Sequence, residues 1–598
     1  MFNQYAGEFE IGVVVGGALV TTDKGAARWH EGTTEVFDYV VVGAGSAGCL
    51  LTRRLAAAGY SVCLLEAGGS VAEDNNDSVN DPMKYGAAFG TELNWGHATV
   101  KQPGASGRHI RCTRGRGVGG CSLVNGMLYN RGAREVYDRW GDGIVSTAWS
   151  ADACLPYFKA HEDNSRGGSE FHGSGGEVRV SDIPQAALSP IAEAFHQAAQ
   201  QAGHKANSDQ NSLAPTHTQL GVQVYQCFVD ERVGDGRRVT ASRAFLPQGV
   251  ETFVNNPEAG ELTMHTRCTA AQIVLESGAA GPRARGVRFL TSEGDPATAT
   301  ARNEVVLTAG VIGSPHLLLL SGIGPQTAFR PPLELDPAGE GGWQWPQCAV
   351  ALESVGKHLV DHPRVACRWA SVADGIDLSS CYSHVEGCLY ARSARAVRAA
   401  ERGLALDAVP DIQIQQDHVR TNDDMLAEPP LSTGFNLKPH VAQPRSEGTV
   451  SLLSADPRAK PRIDPCYLSD SGGADLQCLV EGITAARRVV AQRAFDFCRG
   501  EELLPGKDVQ SQQQLEAWVG ANVDTGYHPV GTCRMAEGAA DGVVDGALRV
   551  HGVSGLRVAD ASVFPHIPNG NTQAATFMVA ERAAEMILAA AAAAAAAA

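Results

Sequence analysis

Asp38-Tyr39-Val40-Val41-Val42-Gly43-Ala44-Gly45-Ser46-Ala47-Gly48 is the stretch that decides the fold. Val40, Val41 and Val42 are β-branched and apolar, the composition of a strand buried on both faces. Gly43, Gly45 and Gly48 follow as G-x-G-x-x-G. In that pattern the first glycine makes a tight turn. The second lets backbone amides approach a pyrophosphate, and the third packs helix on strand. Residues 49–58 continue as a helix that Gly59 is placed to end. Residues 61–65 read as a second strand, ending in Glu66 where an acid accepts ribose hydroxyls. The unit predicts an α/β fold with a Rossmann-like, dinucleotide-binding domain.

Around this unit lies a chain of 598 residues, long enough for two or more domains. Apolar residues make up 44% and charged residues 19%, which places it among globular proteins. The net charge of -17, with no basic stripe, argues against nucleic acid as a partner. The 15 cysteines are scattered and none forms C-x-x-C, so they read as thiols in a reducing, intracellular compartment rather than in a secreted protein. No Cys/His group has the spacing of a structural zinc site, and no metal is expected. Residues 11–20 are apolar but follow Glu8 and Glu10. They are too short for a membrane span and wrongly charged for a secretory signal, so 1–35 is expected to be a leader holding an extra strand or poor order. The alanine run 589–598 carries no expected function.

Three further blocks stand out. Residues 114–132, Arg114-Gly115-Arg116-Gly117-Val118-Gly119-Gly120-Cys121-Ser122-Leu123-Val124-Asn125-Gly126-Met127-Leu128-Tyr129-Asn130-Arg131-Gly132, interleave glycine with arginine, as a backbone lying against a flat ligand with nearby positive charge would, or as a glycine-rich surface loop would. Residues 304–309 form a buried strand ending in Gly310, with Ser314 as expected N-cap and Pro315 at the first position of a leucine-rich helix that Gly322 ends. Between these blocks, 222–226 is expected to turn through 234–236 and pair with 238–240. Segments 262–276 and 284–291 read as paired strands. The last block carries Gly526-Tyr527-His528-Pro529-Val530-Gly531-Thr532-Cys533, a strand reaching Asp560, and Pro568-Asn569-Gly570-Asn571-Thr572-Gln573 opening a helix that runs to 588. A helix start offers free amides and a positive dipole end, a suitable place for the electron-rich edge of a reduced flavin. His528 sits in a glycine-rich loop rather than on an apolar face, which marks it as a candidate catalytic residue.

Together these blocks resemble the glucose-methanol-choline (GMC) oxidoreductases, a family of FAD flavoenzymes, over residues 37–588. The match from Gly115 through Asn125 resembles the family's first signature, and that from Gly310 to Gly324 its second. Cys121 and Val311 depart from the usual residues without removing a charge or a needed hydrogen bond. The resemblance implies a Rossmann-like FAD-binding domain with a discontinuous α+β substrate-binding domain. The FAD-binding parts are expected at 36–165, 236–330 and 516–588, and the substrate-binding parts at 166–235 and 331–515. It implies that Gly43, Gly45, Ser46 and Ala47 cradle the diphosphate and Glu66 holds the adenosine ribose. Arg116, Gly120, Asn125, Gly126, Met127 and Leu128 would run along the flavin, and Ala270 would meet the adenine. Asp560 and Ala561 would lie near the ribityl-phosphate part, and Thr572 near the pyrimidine end of the ring. Some members tether FAD through a histidine just before the signature asparagine; Val124 stands there, so non-covalent FAD is expected.

The activity so implied is oxidation of an alcohol to an aldehyde or ketone. His528 and its partner Asn571 hold the hydroxyl, His528 takes its proton, and hydride passes to flavin N5. The motif from Leu123 to Gly132 looks most like the choline and aliphatic alcohol dehydrogenase branch. Choline oxidases are expected to carry an acid after Asp361-His362-Pro363, and this chain has Arg364 there. A primary aliphatic or aromatic alcohol is therefore the expected substrate class. A fatty acid photodecarboxylase-like or hydroxynitrile lyase-like member of the same fold is the alternative. The electron acceptor, oxygen or a quinone or other carrier, stays open.

Overall fold

The computed structural model describes residues 13–15, 18–20, 35–70, 77–142, 147–233, 236–246, 260–279, 281–330, 343–373, 376, 381, 383–404, 409–418 and 434–597. Five strands run parallel in the order Leu262–His265, Val62–Leu65, Glu35–Val42, Pro296–Leu307 and Leu556–Val558. Val40 and Val41 are fully buried, as β-branched side chains covered on both sheet faces should be. The helix Ser46–Ala57 follows, and Gly59 at φ 89° ends it. Gly48 is sterically obligatory, since a Cβ there would stand 1.9 Å from the Gly43 carbonyl oxygen. That contact sets how closely helix and strand pack.

The segment 262–276 is two strands, not one. The chain turns at Arg267, φ 56°, so Leu262–His265 joins the parallel sheet while Thr269–Gly278 pairs antiparallel with Gly281–Leu290. Hydrophobic alternation does not reveal such a change of sheet. The same holds for 222–226. Gly221–Val224 pairs with Val385–Ala391, and Gln226–Cys227 pairs with Leu128–Tyr129 and Val178–Asp182. The hairpin to Arg237–Arg238 comes instead from Val229–Asp230; residues 234 and 235 of the expected turn lie outside the described residues.

The second signature helix, Gly310–Leu320, starts five residues before Pro315, so Pro315 is internal and Ser314 is not its cap. Proline removes the amide that would bond the Val311 carbonyl. Thr532 Oγ1 donates to that oxygen instead, at 2.6 Å. Ser314 Oγ donates to Asp560 Oδ2 at 2.6 Å. Both substitutes come from the C-terminal part of the chain, which is why a local reading misplaced the cap.

A second sheet of eight strands runs antiparallel through Gly221–Val224, Val385–Ala391, Ile412–Asp417, Gly434–Val441, Pro363–Arg364 and Asp524–Thr525, with Cys367–Ser371 and Arg499–Leu504 alongside. Helices Pro190–Gln201 and Ala474–Val490 bury Phe195 and Ile483 in its core. The last helix, Gln573–Ala597, seats Phe577 among His161, Phe228 and Phe245, burial that contributes about 1.5–3 kcal/mol. It continues through the alanine run, the best intrinsic helix former, to Ala597. Val13–Val15 pairs with Ala18–Val20 as a short hairpin; the rest of the leader lies outside the described residues. No described helix is long and apolar enough to cross a membrane.

Candidate active site

A cavity of about 580 Å³ takes its walls from both sheets. Gly43, Gly45, Ser46, Ala47, Glu66, Arg116, Gly120, Asn125, Gly126, Met127, Leu128 and Ala270 line this one cavity, together with Asp560, Ala561, Thr572, Asn571 and His528. Segments far apart in sequence thus converge on one space.

The residues fit FAD. The helix at Ser46 begins without a side-chain cap and without an acid in its first turn, so its leading amides and dipole are available to a diphosphate. A Cβ on Gly45 would find no protein atom nearer than 3.9 Å, whereas one on Gly120 would strike Gly45 Cα at 2.6 Å. Gly45 therefore faces open space, and Gly120 lets the first signature lie against it. Arg116 Nε is buried without a protein partner, a donor suited to an anionic or carbonyl-rich ligand. Glu66 accepts from the amides of Ala44, at 2.9 Å, Gly68, at 2.7 Å, and Gly117, at 3.1 Å. Burial pushes its carboxyl above the ordinary range while those amides oppose the shift. Asp560 is similarly engaged: its carboxylate accepts from Gly310 and Ser562 amides as well as from Ser314. Its side chain ties the strand end to the second signature helix.

His528 stands where three segments meet. Its Nε2 lies 3.0 Å from Asn571 Nδ2, and its Nδ1 lies 3.0 Å from Nδ1 of His362. Its amide donates to Asp361 Oδ1 at 2.8 Å, which also accepts from the His362 amide at 2.9 Å. Asp361 Oδ2 accepts from Tyr467 and Thr525 hydroxyls, each at 2.5 Å. Asp361 is therefore a buried hub that fixes both histidines through their backbone. Gly526 makes this approach feasible, since a Cβ there would lie 2.8 Å from the His362 carbonyl oxygen. The sequence reading used the Asp-His-Pro motif only to locate Arg364. It missed Asp361, His362, His440 and Arg114, which no local pattern connects to His528.

Burial holds His528 well below its ordinary value, reinforced by the neighbouring His362, His440, Arg114 and Arg364. His362 is pushed down to about 3 by burial, and His440 also lies well below its ordinary value. All three imidazoles are neutral near pH 7. In the unfolded chain they accept protons from about pH 6.5 downward, so below that pH the unfolded state binds more protons than the native one. Stability is fully present above pH 6.5 and declines as pH falls towards the native values, by up to about 1.4 kcal/mol per pH unit for each histidine. Thermal unfolding followed by flavin fluorescence should show Tm falling steadily from pH 7 to 5; an unchanged Tm would contradict the neutral cluster.

Residues 37–364 and 444–580 match the N- and C-terminal parts of the family described as GMC oxidoreductase. The chain belongs to the GMC oxidoreductase family. As a GMC oxidoreductase it is an FAD-dependent enzyme that oxidises CH–OH donors. Among curated relatives, an oxygen-dependent choline dehydrogenase of Chromohalobacter salexigens is 34% identical over 583 residues, covering 92% of this chain and 94% of that protein. Among solved structures, pyridoxine 4-oxidase from Mesorbium loti superposes with a TM-score of 0.79 at 29% identity, covering 92% of this chain and 98% of that one. Formate oxidase, at 22% identity and a TM-score of 0.78, shares the fold of this GMC oxidoreductase over 93% of its length.

Proposed function

We propose that this enzyme oxidises a neutral or anion-bearing alcohol, with His528 as the base and Asn571 as its partner, and that it disfavours quaternary ammonium substrates. The observation that carries the reading is the charge of the reacting end. Arg114, Arg364 and Lys438 line the cavity with His528 and His440, and the carboxylates that pair with Arg364 and Lys438, Asp524 and Asp417, do not line it. The only carboxylates among its described lining residues are Glu66 and Asp560, both engaged by backbone amides. Two aromatic faces that could cage a cation already carry one: Arg116 lies 5.3 Å over Trp95, and Arg364 lies 5.3 Å over Tyr527.

The hydrogen-bond order fits His528 to the role of base. At 3.0 Å one Nδ1 of the His362–His528 pair donates and the other accepts. With His528 as the donor in that contact, its Nε2 keeps a lone pair. That lone pair accepts from Asn571 Nδ2 at 3.0 Å. An alcohol bound beside the pair would give its hydroxyl proton to His528 Nε2, and Asn571 Nδ2 would turn to donate to the alcohol oxygen. FAD, when bound, supplies the hydride acceptor.

The test is a comparison of kcat/KM for choline and for a neutral primary alcohol of similar size. The neutral alcohol should be preferred. Arg364→Gln removes one cation from the cavity lining. The variant should shift the preference towards choline by about tenfold. A wild-type enzyme that prefers choline, with no shift in the variant, would overturn the substrate assignment.

A further inference from the structure

We propose that Cys381, Glu386 and His418 form a binding site for a single zinc ion, separate from the cavity that serves oxidation. A thiol sulfur, a carboxylate oxygen and an imidazole nitrogen lie within 4.8 Å of one another, and all three residues are buried. His418 Nδ1 is 3.4 Å from Glu386 Oε2. That separation equals the edge of a tetrahedron with bonds of about 2.1 Å, the zinc–nitrogen and zinc–oxygen length. A contraction of the remaining spacings by about 1 Å completes the set.

A second observation points to a cation. Glu386 Oε1 and His418 Nδ1 are buried without hydrogen-bond partners, on residues 0% and 1% exposed. A buried carboxylate oxygen and a ring nitrogen in that condition are costly unless something else satisfies them. The backbone aims them deliberately. Glu386 is skipped in the register between Val385 and Gly387, so it occupies a bulge, a device that redirects a side chain. Its other carboxylate oxygen accepts from the Ser189 amide at 3.0 Å, and its carbonyl accepts from the Tyr225 amide at 2.9 Å. His418 follows the paired strand Ile412–Asp417, its amide bonded to the His384 carbonyl at 3.2 Å. The ligands meet across two strands, which is why no short spacing in the sequence announces them.

The donor set selects the metal. Sulfur excludes calcium and magnesium, which take oxygen ligands. Thiolate, imidazole and carboxylate together suit zinc, and the two anionic ligands neutralise its charge. Binding releases the Cys381 thiol proton to solvent, and water takes the fourth position. Val385, adjacent to Glu386, lines the oxidation cavity, so the ion would fix that wall.

The experiment uses flavin-loaded enzyme stripped with a chelator, incubated with zinc chloride, desalted, and measured for metal by mass spectrometry and for Tm. Wild type should retain one zinc per chain and melt at higher temperature with it. Cys381→Ala and Glu386→Gln should each lose about tenfold or more in retention and lose the Tm rise, with flavin content unchanged. Glu386→Gln preserves side-chain shape should Cys381→Ala fold poorly. Cobalt on wild type needs no variant: tetrahedral coordination gives d–d absorption in the red, beyond the flavin bands. Zinc absent from wild type after desalting, or retained equally by Glu386→Gln, would overturn the proposal, as would cobalt added without red absorption.

Discussion

His528→Ala should keep FAD bound and slow reduction of the enzyme by its alcohol by about 100- to 10,000-fold, the usual contribution of a positioned base. The substitution removes the Nε2 lone pair that faces Asn571 and breaks the contact to His362. It leaves the His528 amide bonded to Asp361, so the loop keeps its path. The diphosphate end of the cavity, at Gly45 and Ser46, has no contact with this imidazole among its hydrogen bonds. Stopped-flow absorbance under anaerobic conditions measures the effect, with flavin content as the control. A variant reduced at nearly the wild-type rate would remove His528 from the chemistry. Because burial holds the imidazole neutral well below pH 6.5, the wild-type rate should also stay flat from pH 8 down to 6.5.

Gly45→Ala and Gly43→Ala should fail in different ways. A Cβ at Gly45 clears every protein atom by 3.9 Å, and its φ of -74° suits any residue. Such a protein should fold with a nearly unchanged Tm. The added methyl occupies the space at the bare helix start, so FAD affinity should fall about 10- to 100-fold, the effect of overpacking by one methyl. A Cβ at Gly43 instead meets the Thr308 carbonyl oxygen at 2.6 Å, and its φ of 101° is disfavoured for L-residues. That variant should lose stability as well as flavin. Fluorescence titration of apoprotein with FAD, beside thermal melts, separates the two. Equal Tm losses in both variants, or undiminished flavin affinity in Gly45→Ala, would mean that the turn is structural and the cofactor lies elsewhere.

The nucleotide-binding unit was legible because each of its residues answers a local steric demand. Gly48 must lack a Cβ against Gly43, Gly59 must take a left-handed turn, and the valines must be covered on both faces. His528 stood out as a histidine in a glycine-rich loop rather than on an apolar face, whereas the pairing of His528 with Asn571 came only from the family resemblance. Ser314 was misread because its partner, Asp560, comes from a strand at the other end of the chain. The hub at Asp361 and the histidine pair were not legible for the same reason. Strand pairing around Pro363–Arg364 and Asp524–Thr525 brings them together, and no periodicity within either strand records it. The positive character of the reacting end was visible in part at Arg364. Arg114 and Lys438, far from Arg364 in sequence, line the same cavity.

The most direct test of the account is an anaerobic titration of the flavin-loaded enzyme with a panel of alcohols that includes choline and a long-chain primary alcohol, followed by absorbance. The account predicts that a neutral or anion-bearing alcohol bleaches the oxidised flavin bands, and that readmitted air or an added quinone restores them. No bleaching by any alcohol in the panel, together with consumption of a fatty acid under blue light, would contradict it.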